Sequence, residues 1–148
     1  NEGGIRVPTI ATWPKRIMAG SKSDHPSTFY DYFATVCDII SEDSPDYTDG
    51  ISYYPTLIGK KQKKHDYLYW EFPAYGGQQA IRINQWKGIK KNLLKGPSEL
   101  ELYNLENDPK ELNNLAANYP EIVEKMEISM KKAHNKPTVK KFIIPALD

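Results

Sequence analysis

A chain of 148 residues with 20 Lys and Arg against 19 Asp and Glu carries a formal net charge of +1, too near neutral for a protein that lives on phosphate-backbone contacts, so nucleic acid is not an expected partner. Hydrophobic residues at 39% and charged residues at 26% give a globular rather than a disordered composition, and the length allows one domain, or one domain with part of another. No apolar run reaches the roughly 18–20 residues that cross a bilayer, and the single cysteine, Cys37, excludes an internal disulfide or a multi-cysteine zinc site.

In chain order, Glu2-Gly3-Gly4 reads as a turn feeding residues 5–14, a β-branched and apolar stretch that predicts a largely buried strand. Pro8 keeps that strand from donating a full ladder. A buried strand behind a glycine turn expects a partner upstream, so the segment reads as the continuation of a longer chain. Residues 14–27 are loop-like. Asp31 is placed to cap a helix running to Ile40, with Phe29, Phe33, Val36 and Ile40 at helical spacing as its apolar face. Cys37 lies beside that face and reads as a packing residue, since no His stands near it in sequence to activate a thiolate.

Residues 41–50 are polar and turn-forming and suggest a boundary; a short element over 51–58 then stops at Gly59. The run Lys60-Lys61-Gln62-Lys63-Lys64 has two readings, an anion-binding patch or a solvated loop, and the near-neutral total favours the loop. From Asp66 the pattern becomes β. Residues 67–72, 79–84, 86–93 and 100–105 alternate or carry β-forming side chains, with tight connections that predict four antiparallel strands. A turn at Asn107-Asp108-Pro109 precedes a helix over 120–134. Asn118 and Glu121 look like a capping box, and Ile122, Met126, Met130 and Ala133 form the stripe that should cover the sheet. The tail to Asp148 reads as extended. The fold class is α+β: a four-stranded antiparallel sheet against a C-terminal helix, preceded by a strand and a helix.

Three stretches carry a family resemblance. Glu2-Gly3-Gly4-Ile5-Arg6-Val7-Pro8 with Trp13-Pro14 resembles the E-G-G-x-R-V-P…W-P segment of formylglycine-dependent (type I) sulfatases. Residues 49–59, Asp-Gly-Ile-Ser-Tyr-Tyr-Pro-Thr-Leu-Ile-Gly, resemble their D-G-x-S-x-x-P-x-L-x-G segment. Residues 102–111, followed by Asn114-Leu115-Ala116, resemble L-Y-D-L-x-x-D-P-x-E-x-x-N-L-A. Their order and spacing cover nearly the whole chain, and the nearest likeness is to bacterial arylsulfatase and N-acetylgalactosamine-6-sulfatase types. The resemblance implies an alkaline-phosphatase-like α/β catalytic domain followed by a small C-terminal domain. Residues 1–45 would then be the end of the former and 46–148 the latter.

In that family an oxidised Cys or Ser of a C/S-x-P-S-R segment, formylglycine, attacks sulfur beside a calcium ion. Cys37 is followed by Asp38-Ile39-Ile40, and the Asp-rich metal segment has no counterpart, so no catalytic or metal-ligating residue is assigned and the chain alone is expected to be inactive. The implied partners are the missing N-terminal catalytic domain and a sulfated carbohydrate or aryl sulfate, with an exported location, periplasmic or extracellular, following from the family alone. The candidate substrate-contacting segment is 70–82. Its glycines let backbone approach a ligand, and Glu71, Tyr75, Gln78, Gln79 and Arg82 offer hydrogen bonds; Pro73 stands where relatives often carry His.

The bland reading of the same segment is a glycine hairpin with structural aromatics. Arg6 reads as an ion pair holding its turn, His25 as a loop residue, and His65 and His134 lack metal-ligand spacing. Two rival functions remain: a carbohydrate-binding module stacking sugars on Trp70, Tyr75 and Trp86, and a purely structural subdomain. The first strand and helix, without their partners, are expected to leave an apolar patch and a strand edge open to self-association.

Overall fold

The computed structural model describes residues 2–148. They fall into two compact units, Pro8–His65 and Asp66–Asp148, the second including residues 2–7.

In the second unit, β1 (Leu68–Phe72), β2 (Gln78–Ile83), β3 (Trp86–Lys91) and β4 (Glu101–Asn104) form one antiparallel sheet in that order. Each expected strand is present, with its ends moved by at most two residues. Register sets Tyr69, Ile81, Gly88 and Leu102 in a row across one face. Over that face lies α3 (Pro120–Ala133), whose Met126 and Met130 join Ile81, Ile83, Leu100 and Leu102 in the core. Gly88 permits the close approach: a Cβ there would stand 2.9 Å from the Met126 sulfur. No side chain caps α3, so the Asn118–Glu121 capping box does not form. Pro120 at the first position has no N–H to satisfy, which removes part of the need for one. The outer edge of β4 is closed by the chain itself. Asn114 Oδ1 accepts the Leu102 N–H, and Leu115 N–H donates to Leu102 O, which blunts an edge otherwise open to pairing. The tail is not simply extended; it makes a short 3-10 turn at Lys140–Phe142 and buries Ile144.

The first unit holds α1 (Asp31–Ile39) and α2 (Tyr54–Leu57). Two expectations fail at this end of the chain. Residues 5–14 form no strand, and Ile5, Val7, Ile10 and Trp13 are exposed. No described strand pairs with them, and β-propensity without a ladder does not hold a strand. The edge invoked for self-association is therefore not formed. The second failure is the orientation of α1. Phe29, Phe33 and Ile40 are exposed, while Asp31, Ala34, Thr35 and Cys37 are buried.

The reason is a polar seam along α1 at 31, 35 and 38. Asp31 Oδ1 accepts the Ile51 N–H, Thr35 Oγ1 accepts the Tyr53 N–H, and Ser52 Oγ donates to Asp38 Oδ2. This seam draws residues 50–53 onto the helix, and Gly50 makes the contact possible. A Cβ on Gly50 would lie 2.3 Å from the Tyr30 carbonyl oxygen, a rigid backbone atom. Gly50→Ala should therefore destabilise this unit by about 2–3 kcal/mol or more, in the upper range of overpacking costs. Hydrogen exchange at the Ile51 and Tyr53 amides reads this directly, and unchanged protection there would refute the docking.

Candidate functional site

The predicted contact segment 70–82 is divided by the sheet it forms. Strand alternation puts Glu71 and Gln79 on the face under α3, and Gln78 and Arg82 on the opposite face. The first pair is brought together through Tyr69. Gln79 Nε2 donates to the Tyr69 hydroxyl at 2.6 Å, the hydroxyl donates to Glu71 Oε1, and His134 Nδ1 lies 2.6 Å from the same oxygen. His134 Nε2 is 3.4 Å from Asp148 Oδ1, so the network links β1, β2, the end of α3 and the tail. Burial first, then the neighbouring Glu71 carboxylate, raise the Tyr69 hydroxyl well above the ordinary tyrosine range. Tyr69 thus stays a neutral donor.

Tyr75 is 84% exposed at φ 50°, and its ring stacks on Phe72 with centroids 5.9 Å apart. The glycines behind it are already engaged: Leu93 N–H donates to Gly77 O and Leu94 N–H to Gly76 O. The close backbone approach that glycine allows is thus made by residues 92–94. Arg82 sends Nε–H to Asn84 O and lies 3.6 Å from Glu2. Among the rings proposed as a sugar platform, Trp86 is held against Tyr119 at 4.9 Å and packs on the core, so the three do not form one open surface.

Sequence reasoning missed the strongest electrostatic cluster. Lys87 on β3 is fully buried between two carboxylates, with Nζ 2.9 Å from Glu2 Oε2 and 2.6 Å from Glu111 Oε1. Glu2 N–H donates to Glu111 Oε2, closing the triangle. The turn at residues 2–4 is therefore fastened by Glu2; Arg6 is exposed and forms no ion pair among the described residues. A nearer clue was present, since both glutamates sit inside the first and third family-like motifs. Nothing in a sequence, however, pairs them with a lysine in the middle of a strand.

In the first unit, Asp31 collects the Thr28 N–H, the Ile51 N–H and His65 Nε2 at 2.7–2.9 Å. Its side chain joins loop segments rather than capping α1. On the sheet, Tyr103 is pushed up to about 12 by burial and by its hydrogen bond to Glu101. Burial alone would raise Glu101, but the Lys91 ammonium and the Tyr103 hydroxyl outweigh it and hold the carboxyl below its usual range. All of these arrangements hold the fold; none places a nucleophile beside a base in an open pocket. Among the described residues no group of three His, Cys, Asp or Glu could hold a metal ion. Cys37 is buried in α1. The residues present thus do not fit a calcium site or a formylglycine. Among the described residues no helix is long and apolar enough to cross a membrane.

Comparison with known proteins agrees with the motifs. A family model described as "N-sulphoglucosamine sulphohydrolase, C-terminal" matches residues 1–136. The ulvan-active sulfatase of Formosa agariphila is 30% identical over 161 residues, covering 83% of this chain and 32% of that protein. The N-acetylgalactosamine-6-O-sulfatase of Bacteroides thetaiotaomicron is 28% identical over 138 residues, covering 84% and 26%. The solved structure of Ps i-CgsB superposes with a TM-score of 0.68 at 27% identity, covering 81% of this chain and 27% of that one. The chain thus spans about a quarter to a third of the length of these relatives. A sheet, a covering helix and three motifs matched by one family model over residues 1–136 lead to one assignment: the chain belongs to the family of sulfatase C-terminal domains.

Proposed function

We propose that the chain serves a longer enzyme that hydrolyses sulfate esters, as its C-terminal part. In this reading the nucleophile and the metal ligands reside in the remainder of the enzyme. Residues 1–45 close its larger domain and 46–148 form the smaller one. The single observation that carries the reading is the family match across residues 1–136. Sulfated carbohydrate is the favoured substrate class, because two relatives are named for ulvan and for N-acetylgalactosamine 6-sulfate. The exposed Phe29, Tyr32, Phe33 and Ile40 on and beside α1 suit burial against the larger domain, a patch that an isolated domain rarely leaves open.

Within such an enzyme, Tyr75 and Gln78 are the rim candidates. The first is exposed and the second half-buried, whereas Glu71 and Gln79 would act only through the internal Tyr69 network. The experiment is sulfate release, followed by ion chromatography, from sulfated oligosaccharides and an aryl sulfate in the presence of calcium. The full-length gene product should turn over, and the 148-residue chain should not. Turnover by the chain alone, or none by the full-length protein on any sulfate ester, would overturn the proposal.

A further inference from the structure

The lysine run that composition assigned to solvent is organised by its central residue. Gln62 Oε1 accepts the Thr56 N–H and the Thr56 hydroxyl, while Gln62 Nε2 donates to Ser52 O and Lys63 O. Lys60 N–H is held by Pro55 O just after Gly59, whose φ of 70° turns the chain. Four side-chain bonds in the middle of five residues fix the loop and sort its lysines. Lys63 lines a shallow hollow with Asp38, Glu42 and Asp43. Lys60 and Lys64 instead line a second cleft, together with Lys22, Asp24, His25 and Thr56, of about 550 Å³.

This second cleft has an uneven charge. None of Lys22, Lys60 and Lys64 has an ion-pair partner among the described residues, and the one carboxylate in its wall is Asp24. Its opposite wall is shaped too, since His25 N–H bonds to Ser23 Oγ. Three ammonium-bearing side chains lining one cleft call for an anion of low charge density spread over several oxygens. Asp24 and the His25 ring call for hydroxyl groups, and the Asp24 carboxylate would repel a ligand that is anionic along its whole length. The volume fits one or two sugar rings. No tryptophan, tyrosine or phenylalanine lines the cleft, so there is no platform for a nucleobase.

We propose that the cleft between residues 22–26 and 56–64 binds a sulfated sugar unit of a glycan. The choice of sulfate over another anion rests on the function proposed above; the cationic, hydroxyl-accepting character of the cleft does not. His25 is held below the usual histidine range, by burial first and by the nearby Lys64 and His65 against the opposing pull of Asp31. The attraction at neutral pH is therefore supplied by the lysines.

The test titrates the 148-residue chain with a κ-carrageenan hexasaccharide, its desulfated form and a six-nucleotide single strand. The sulfated sugar should bind, with the desulfated sugar and the oligonucleotide weaker by about tenfold or more, the scale of a few charge-assisted contacts. The triple variant Lys22→Gln, Lys60→Gln, Lys64→Gln should lose about tenfold or more, while Lys61→Gln, Lys63→Gln stays within about twofold. All five side chains are exposed, so folding is not at stake. Equal binding of the desulfated sugar or of the oligonucleotide overturns the proposal, as does equal loss in the two variants. Sulfate release by the full-length protein is read separately. Absent binding with intact turnover defeats this inference alone, and sulfate-dependent binding without turnover defeats the enzyme reading alone.

Discussion

Replacing Lys87 with alanine should lower the stability of the sheet unit by about 3–5 kcal/mol, because it leaves two carboxylates facing each other in a site closed to water. Glu2, Lys87 and Glu111 are 5%, 1% and 8% exposed, so solvent cannot screen the charges that remain. Lys87→Met should cost nearly as much, since it restores volume but not charge. The telling contrast is the triple change Glu2→Gln, Lys87→Met, Glu111→Gln, which removes the three buried charges, leaves only the partly exposed Arg82 beside them, and should recover much of the loss. Hydrogen exchange across the β2–β3 ladder, with urea melts of the same variants, measures the effect. If Lys87→Ala matches an ordinary exposed lysine substitution, the triangle is not a structural clamp. A lesser but decisive check is the order of release. Residues 2–7 reach the sheet through this ion cluster, so Lys87→Ala should free the N-terminal amides at lower urea than the β-ladder.

The sheet was legible in the sequence because alternation is a local signal. Residues 79–84 alternate whatever lies across from them, and the Met126–Met130 stripe announces one buried helix face. The Glu2–Lys87–Glu111 triangle was not legible, because its hydrogen bonds join residues 85 and 109 positions apart. Resemblance flagged the two glutamates as parts of motifs without saying what they do. The structure gives the motifs a physical account: Glu2 and Glu111 meet over Lys87, Gly50 and Ser52 dock on α1, and Asn114 closes the edge of β4. These residues that name the family are ones that hold this part of it together.

The candidate site was only partly legible, for a related reason. A contiguous segment such as 70–82 looks like one patch in sequence, but a pleated strand sends neighbours to opposite faces. Glu71 and Gln78 were grouped by proximity and are parted by geometry. Periodicity misled in the first unit as well. It located a helix correctly at Asp31–Ile39, yet an apolar stripe reports a face that prefers burial and not which neighbour is present to bury it. Here the neighbours within the chain are backbone N–H groups, and they select the polar face.

That inversion makes Asp31 the second position where a single change should have a large effect. Asp31 is 1% exposed, and its two oxygens serve two backbone donors and the His65 ring. Asp31→Ala orphans the Thr28 and Ile51 N–H groups and the imidazole together, at a combined cost of about 3–5 kcal/mol for this unit. Asp31→Asn keeps the shape but turns an N–H₂ toward a donor, so it should recover only a minor part. Phe33→Ala is the opposite control. By apolar periodicity Phe33 belongs to the buried face, and its loss would then cost about 3–5 kcal/mol. With Phe33 52% exposed, the change should instead stay within about 0.5 kcal/mol in the 148-residue chain, the ordinary range for surface positions. The two variants therefore decide between the faces of α1. Hydrogen exchange at Ile51 and Tyr53 should collapse in Asp31→Ala and hold in Phe33→Ala. The reverse pattern would mean that the helix is seated on its aromatic side and that the polar seam does not carry the fold of this unit.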